Sequence, residues 1–274
     1  MIKQSDVVVI VPHLGADKQQ EYAFDECYAS LKESVPDMRI LVAKNGPACP
    51  HIRSVRVLIQ GQCKAVNAAV AITNEPWIMV TNDDMIYPPG WFEKLTSNLP
   101  KDVWCVSPQL VEPRPGAPSF IVYFCGGAGG DFDKQKFFDF VKNHQGEGLR
   151  TGFNLPFLVK REVFDIVGIY DIRYDPWSSS SDTDIQCKFE LAGVKTYQNT
   201  NCLIYHFSQT SGTFHPDNHW NWSENYEYFR QKWGFERPGD PDVWFSKNLI
   251  KYDQLKYNPW WKDFYAKKIS ESTA

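Results

Sequence analysis

The stretch WIMVTNDDMIYPPGW, residues 77–91, is apolar up to Val80, then presents Thr81, Asn82, Asp83 and Asp84 before a Pro-Pro-Gly turn. Two adjacent carboxylates at the end of a buried strand are costly unless something positive meets them. Clustered oxygen ligands suit a hard divalent cation such as Mg²⁺ or Mn²⁺, which takes one or two protein carboxylates and fills its shell with water and phosphate oxygens. The expected partner is therefore a metal that carries a diphosphate. The same letters are also good turn chemistry and fit a solvated strand end. Asp182 and Asp184 fall at the start of a predicted helix, where the dipole favours their ionised form. A carboxylate held near a substrate hydroxyl can serve as general base, although ordinary first-turn acids look alike. His206 closes the apolar run CLIYH. Its imidazole can ligate a transition metal or serve a purely structural end.

These residues need elements to position them. The β-branched run DVVVIV (6–11) reads as a strand buried on both faces. Further strands are expected at 39–46, 77–81, 103–111 and within 196–207. Helices are expected at 19–34, 64–73, 90–99, 160–171 (ended by Gly168), 181–193 (capped by Ser181 and ended by Gly193) and 223–234. Strands alternating with helices imply an α/β fold with a mainly parallel sheet. Ligands bind at the carboxyl ends of such strands, and both Asn45 and the Asn82-Asp83-Asp84 cluster fall there. VEPRPGAP (111–118) reads as a loop and GGAGG (126–130) as a hinge or close-approach loop.

Composition narrows the class. The chain has 274 residues, 43% apolar residues and a net charge of −4. That is enough for one large core, and it offers no global basic field for a nucleic-acid backbone. Seven cysteines, an odd number with no C-x-x-C pair, read as free thiols in a reducing compartment. VVVIVP is too short for a signal peptide, and no run approaches the length of a membrane span. The expected location is the cytoplasm. Asn221-Trp222-Ser223 is a glycosylation sequon by letter, and the tail YNPWWKDFYAKK mixes aromatics with lysines in a way that could touch a membrane surface. Aromatic residues, 15% of the chain, thicken toward the C-terminus and would suit stacking on sugars or simple packing.

Five motifs in order resemble the inverting family 2 glycosyltransferases of the GT-A fold. WIMVTNDDMIYPPGWFEKL resembles their acidic DxD-type segment in its Asn-Asn-Asp form. GFNLPFLVKREVFDIVGIYDIRY resembles the stretch before the acceptor site. SDTDIQCKFELAGVKTY is similar to their Glu-Asp-x-Asp helix, CLIYHF to the strand presenting a metal-binding His, and NYEYFRQKWG to the helix that follows. The resemblance covers about residues 6–234 and implies a Rossmann-like nucleotide-diphospho-sugar transferase fold with a helical, aromatic C-terminal extension. It divides the chain into one catalytic domain, 1–210, and an extension, 211–274, packed on the acceptor side. Within the domain, 1–100 would hold the donor and 101–210 the acceptor.

The resemblance also implies roles. Asp84 and His206 would bind Mn²⁺ or Mg²⁺, and Asp182 would be the catalytic base. Asn82 fills the first position of the acidic motif, and Asp83 would lie near the donor ribose. Pro12 and His13 would grip the nucleotide base. Asn45 would bind base or ribose, and Lys64 and Asn67 would approach the donor phosphate and base. Three positions depart from the family pattern: Ser181 for Glu, Asn45 for Asp and Asn82 for Asp. The implied activity is hexosyl or deoxyhexosyl transfer from a nucleotide-diphosphate sugar, a UDP-sugar first, to a hydroxyl of a glycan or glycoconjugate. The alternatives are transfer to a modified nucleobase in DNA, the lesser option for an acidic chain, or a non-catalytic sugar-binding module. A nucleotidylyltransferase would carry a Gly-rich loop where PHLGADKQQ stands. No Walker A loop, G-x-G-x-x-G or G-x-S-x-G sequence is present.

Overall fold

The computed structural model describes residues 2–15, 17–45, 52–57, 61–114, 120–176, 178–208, 210 and 219–233, with the backbone alone for 219–222. In chain order its elements are β1 (Val7–His13), α1 (Lys18–Ser34), β2 (Arg39–Lys44), β3 (Ser54–Arg56), α2 (Gln62–Ala71), β4 (Trp77–Val80), β5 (Met85–Ile86), α3 (Trp91–Thr96) and β6 (Cys105–Glu112). They continue with β7 (Ile121–Val122), α4 (Lys134–Asn143), β8 (Leu149–Thr151), β9 (Phe157–Lys160), α5 (Arg161–Val167), α6 (Ser181–Ala192), β10 (Thr196–His206) and α7 (His219–Trp233). The side chains of the sequon residues Asn221 and Trp222, the aromatic tail and the rest of the extension other than α7 lie outside the described residues, as do 115–119 of the Pro-rich loop.

One sheet runs in the order β3-β2-β1-β4-β9-β6-β10-β5, with β7 on β6 and β8 on β10. β1 is buried on both faces because its side chains alternate between two cores. Val8 and Ile10 join α2, α5 and α6 on one side, while Val7, Val9 and Val11 join α1 and α3 on the other. That double burial is what the continuous β-branched run encodes. A third cluster, with Phe137 and Val141 of α4, packs against Leu203 and Tyr205 of β10.

Among the described residues the sheet is mainly parallel with antiparallel insertions: β1, β2, β3 and β4 are mutually parallel, as are β6, β7 and β10. β9 inserts antiparallel between β4 and β6, and β5 and β8 flank β10 antiparallel. β9 leads directly into α5 with no crossover before it, so helix–strand alternation does not announce it. α6 also starts differently from the expectation: its cap position is Ser180, with φ 69° and no side-chain cap bond, and Ser181 is already helical. Its C-terminal Gly193 does adopt the left-handed conformation that ends a helix, φ 70°.

α7 docks through a buried ionic latch. Lys232 Nζ lies 2.8 Å from Asp184 Oδ1 and 2.8 Å from Asp171 Oδ2. Trp233 Nε1 donates to Asp184 at 2.8 Å, and Tyr228 donates its hydroxyl to Asp171 at 2.6 Å. Asp184 is fully buried. Removing one partner of such a pair leaves an uncompensated charge in the interior. Lys232→Ala is therefore expected to cost about 3–5 kcal/mol, read as a drop in the denaturant midpoint. Arg230 on the same helix pairs with Glu227 in solvent, where water screens both charges. Arg230→Ala is expected to leave the midpoint close to that of the parent chain.

Candidate active site

The acidic motif sits where β4 ends. Asp84 immediately precedes β5, which pairs antiparallel with the last residues of β10, Met85 opposite His206 and Ile86 opposite Tyr205. The Phe207 amide donates to the Asp84 carbonyl at 3.0 Å. This register places the imidazole of His206 beside the Asp84 carboxylate, Nε2 to Oδ1 3.3 Å. Thr210 Oγ1 donates to the other oxygen, Oδ2, at 2.8 Å. On the far side of the ring, His206 Nδ1 meets Glu112 Oε1 at 2.7 Å. Glu112 is the last residue of β6 and only 3% exposed. It is absent from the residues expected on sequence grounds. Its signal is an acid ending an apolar strand, the same signal that marks Asp83 and Asp84.

A carboxylate on Nδ1 orients the ring and directs Nε2 toward the second carboxylate, the arrangement that prepares a histidine for a metal. Asp84 and His206 thus fit a divalent cation, with Glu112 behind. Among the described residues no group of three or more His, Cys, Asp or Glu side chains is placed to hold a metal ion by itself. A hard cation completed by water and phosphate oxygens needs fewer.

His206 is the positive partner of Asp84 and Glu112. Burial disfavours its charged form, but Asp84 and Glu112 outweigh burial and push its pKa up to about 10. For Asp84, burial pushes the carboxyl up, and the charge and hydrogen bonds of His206 and Thr210 more than reverse this, so it lies below its ordinary value. A raised histidine pKa contributes stability that is complete below its unfolded value and lost as pH climbs through the folded one. The pair should therefore stabilise the metal-free protein at neutral pH and fade between about pH 6.5 and pH 10. In EDTA, thermal unfolding of His206→Gln is expected to show a shallower decline across that window than the parent chain.

Asp83 faces the other way. Its Oδ2 is 2.7 Å from His13 Nδ1, and the His13 ring stacks on Phe24 with centroids 3.9 Å apart and planes 12° apart. Burial pushes the Asp83 carboxyl up against the lowering pull of His13. Pro12 is buried in β1 opposite Ala43. Asn45, at the end of β2, ties three segments together: its amide N–H donates to the His13 carbonyl at 2.9 Å, its Nδ2 to the Val57 carbonyl at 3.3 Å, and its Oδ1 accepts from the Gly61 amide at 3.2 Å. Asn82 Oδ1 accepts from Gln62 Nε2 at 3.2 Å, which joins the acidic motif to the start of α2.

The first turn of α2 serves a carboxylate of the chain itself. The Cys63 and Lys64 amides donate to Asp175 at 2.9 and 3.0 Å, and Lys64 Nζ lies 3.6 Å away. This is the anion-binding chemistry of a helix N-terminus, and here it anchors the segment before α6. Gly61, with φ 147°, is required at this approach, since a Cβ would run into the Asp175 carboxylate. Asn67, one turn on, spends its amide on the backbone of Tyr170, accepting from its N–H at 3.1 Å and donating to its carbonyl at 2.8 Å.

Asp182 is half-buried in the first turn of α6, and Tyr170 donates its hydroxyl to Oδ1 at 3.2 Å. Asp184 is a different case. It is fully buried and holds Tyr174, Trp233, Lys188 and Lys232. The geometry separates the two acids that the sequence left alike: Asp184 docks α7, and Asp182 is the one with a solvent-facing side. The structure therefore joins Asp84 to His206, Asp83 to His13, Asn82 to α2, and α2 through Tyr170 to Asp182.

By sequence the chain matches no family model and no curated protein. Its fold matches solved structures. GalNAc-T7, solved with UDP, GalNAc and Mn²⁺, superposes with a TM-score of 0.59 at 13% identity over 83% of this chain and 48% of that one. A mannosyltransferase from Pyrobaculum calidifontis, solved with GDP-Man and Mn²⁺, gives 0.52 at 14% identity over 98% of this chain and 75% of that one. TarS from S. aureus gives 0.52 at 10% identity over 96% and 70%. This chain spans about half the length of the GalNAc-T7 chain. The fold is GT-A, as the motif order implied.

Proposed function

We propose that the protein is a metal-dependent, inverting glycosyltransferase that moves a hexosyl or deoxyhexosyl group from a nucleotide-diphosphate sugar to a hydroxyl of a glycan or glycoconjugate. The observation that carries this reading is the Asp84–His206 pair, backed by Glu112, at the carboxyl ends of strands in a GT-A sheet. Neighbours of the same fold were solved with UDP or GDP-Man together with Mn²⁺, which makes a UDP-sugar the first donor to test.

Asp84 and His206 would hold Mn²⁺ or Mg²⁺. When bound, such a cation offsets negative charge developing on the leaving diphosphate. The rest belongs to side chains. Asp182 accepts the proton of the acceptor hydroxyl as its oxygen bonds to the anomeric carbon. The bond from that carbon to the diphosphate oxygen breaks on the opposite face, so the configuration inverts. No covalent intermediate is required. Asp83 and His13, fixed against each other, line the donor side with Pro12, Asn45 and Asn82. Lys64 and Asn67 act on this reading mainly through the 170–175 segment that they hold. Six buried cysteines without a disulfide among the described residues support a reducing compartment, the cytoplasm. No helix among the described residues is long and apolar enough to cross a membrane.

A donor screen tests the proposal. Purified protein is incubated with Mn²⁺ or Mg²⁺ and each common nucleotide sugar, and release of nucleoside diphosphate is followed. Metal-dependent consumption of one donor, abolished by EDTA, is the expected result. Failure to consume or bind any nucleotide diphosphate with metal would reduce the acidic motif to a turn.

A further inference from the structure

We infer that Tyr170 is a positioning residue for Asp182, and that α2 sets its place through Asn67. The inference rests on reading Asp182 as the base.

A carboxylate in the first turn of a helix has two side-chain torsions to settle, and Asp182 lies half in solvent. The α6 backbone is fixed nearby by Asp184 and its latch to α7, but that latch does not choose the rotamer of Asp182. Tyr170 does so by donating to Oδ1 at 3.2 Å. Tyr170 is itself only 6% exposed and packed in the core that α2 and α6 share. Burial, together with the charge of Asp182, holds its hydroxyl protonated far above the usual range, so it acts as a donor.

The position of Tyr170 is fixed by an unusual economy of bonds. One side chain, Asn67, satisfies both its backbone N–H and its backbone carbonyl. This is the pairing a neighbouring strand would give, supplied here by a helix. A tyrosine held so by its backbone delivers its hydroxyl to a defined point. Anchoring one carboxylate oxygen there sets where the other points, which is the geometric requirement on a general base. Among the described residues, this hydroxyl and the Cys63 thiol of α2, whose own pKa burial raises, interact with Asp182. Asn67 thus contributes to the acceptor side although it sits on the donor half.

The test is Tyr170→Phe, which keeps the ring and removes only the donor. The carboxyl of Asp182 is titrated by ¹³C NMR in protein labelled at aspartate, its signal assigned by its absence in Asp182→Asn. Loss of a hydrogen bond to the charged form should raise its midpoint by about one pH unit. Turnover should fall roughly tenfold to a hundredfold in kcat, with the donor KM unchanged and the acid limb of the pH profile moved up with the carboxyl. An unmoved carboxyl, or unmoved kcat with a moved carboxyl, would overturn the inference. The titration needs no turnover. If the parent chain consumes no donor, the reading of Asp182 as a base fails by itself while the NMR still decides whether Tyr170 governs that side chain.

Discussion

Asp84→Ala is expected to abolish metal-dependent consumption of nucleotide sugar, lowering kcat by about 10³-fold or more. The magnitude follows from what the residue holds. Asp84 is the one acid of the motif that meets His206, and its two oxygens contact His206 and Thr210. Without it the imidazole keeps Glu112 on Nδ1 but faces no anionic ligand across the gap. A single neutral imidazole holds Mg²⁺ or Mn²⁺ poorly, because these hard ions prefer oxygen. Asp83→Ala should cost less, since the Asp83 carboxylate is bonded to His13 and its loss disturbs the donor wall instead of the cation. Initial rates of diphosphate release by the two variants across a Mn²⁺ titration separate these effects: the Asp84 variant should stay inactive at every metal concentration, and the Asp83 variant should saturate. Equal losses in both would mean that the acidic motif acts as one structural turn.

Asp182→Asn is expected to lower kcat by about 10²–10⁴-fold, the range for removal of a general base, with donor KM and melting temperature close to those of the parent. The amide can still accept the Tyr170 hydroxyl at Oδ1, so the helix start should persist. Asp184→Asn is the informative contrast. That carboxylate is bonded to the hydroxyl of Tyr174 and the indole of Trp233 and paired with two lysines, so its neutralisation strands buried positive charge. The Asp184 variant should unfold at lower denaturant yet keep most of its turnover per folded molecule. If the two phenotypes were exchanged, the base would be Asp184 and the assignment here would be wrong.

Much of this site is legible in residue order because strand ends can be read. An apolar run that stops at Asn82-Asp83-Asp84, or at His206, marks a strand terminus, and the topology brings such termini to one edge. The pairing of Asp84 with His206 is implied by family resemblance and is delivered by two residues of β5, too short to predict. Glu112 carries the same strand-end signal but is masked by the Pro-rich segment after it, which reads as loop. β9 is hidden because its four residues run straight into α5 with no turn letters between them. α4 does carry a helical signal, Phe137, Phe138, Phe140 and Val141 on one face behind the capping Asp133, but no helix is expected there because the glycine-rich segment before it reads as loop. The contacts of Asn67 and Lys64 cannot be read at all. Both depend on where residues 170–175 pass, a tertiary fact that no local spacing encodes. The same holds for Asp182 against Asp184: both read as first-turn acids, and the burial of Asp184 depends on Tyr174, Lys188 and the return of α7 over it.

The most direct measurement is Mn²⁺ binding followed by electron paramagnetic resonance, in which the free aquo ion gives a strong signal that is lost on binding. The parent chain is expected to quench that signal, more tightly in the presence of UDP, and Asp84→Ala and His206→Ala to leave it near its free intensity. A signal that stays at full strength with the parent chain and each of UDP, GDP and dTDP would contradict the account.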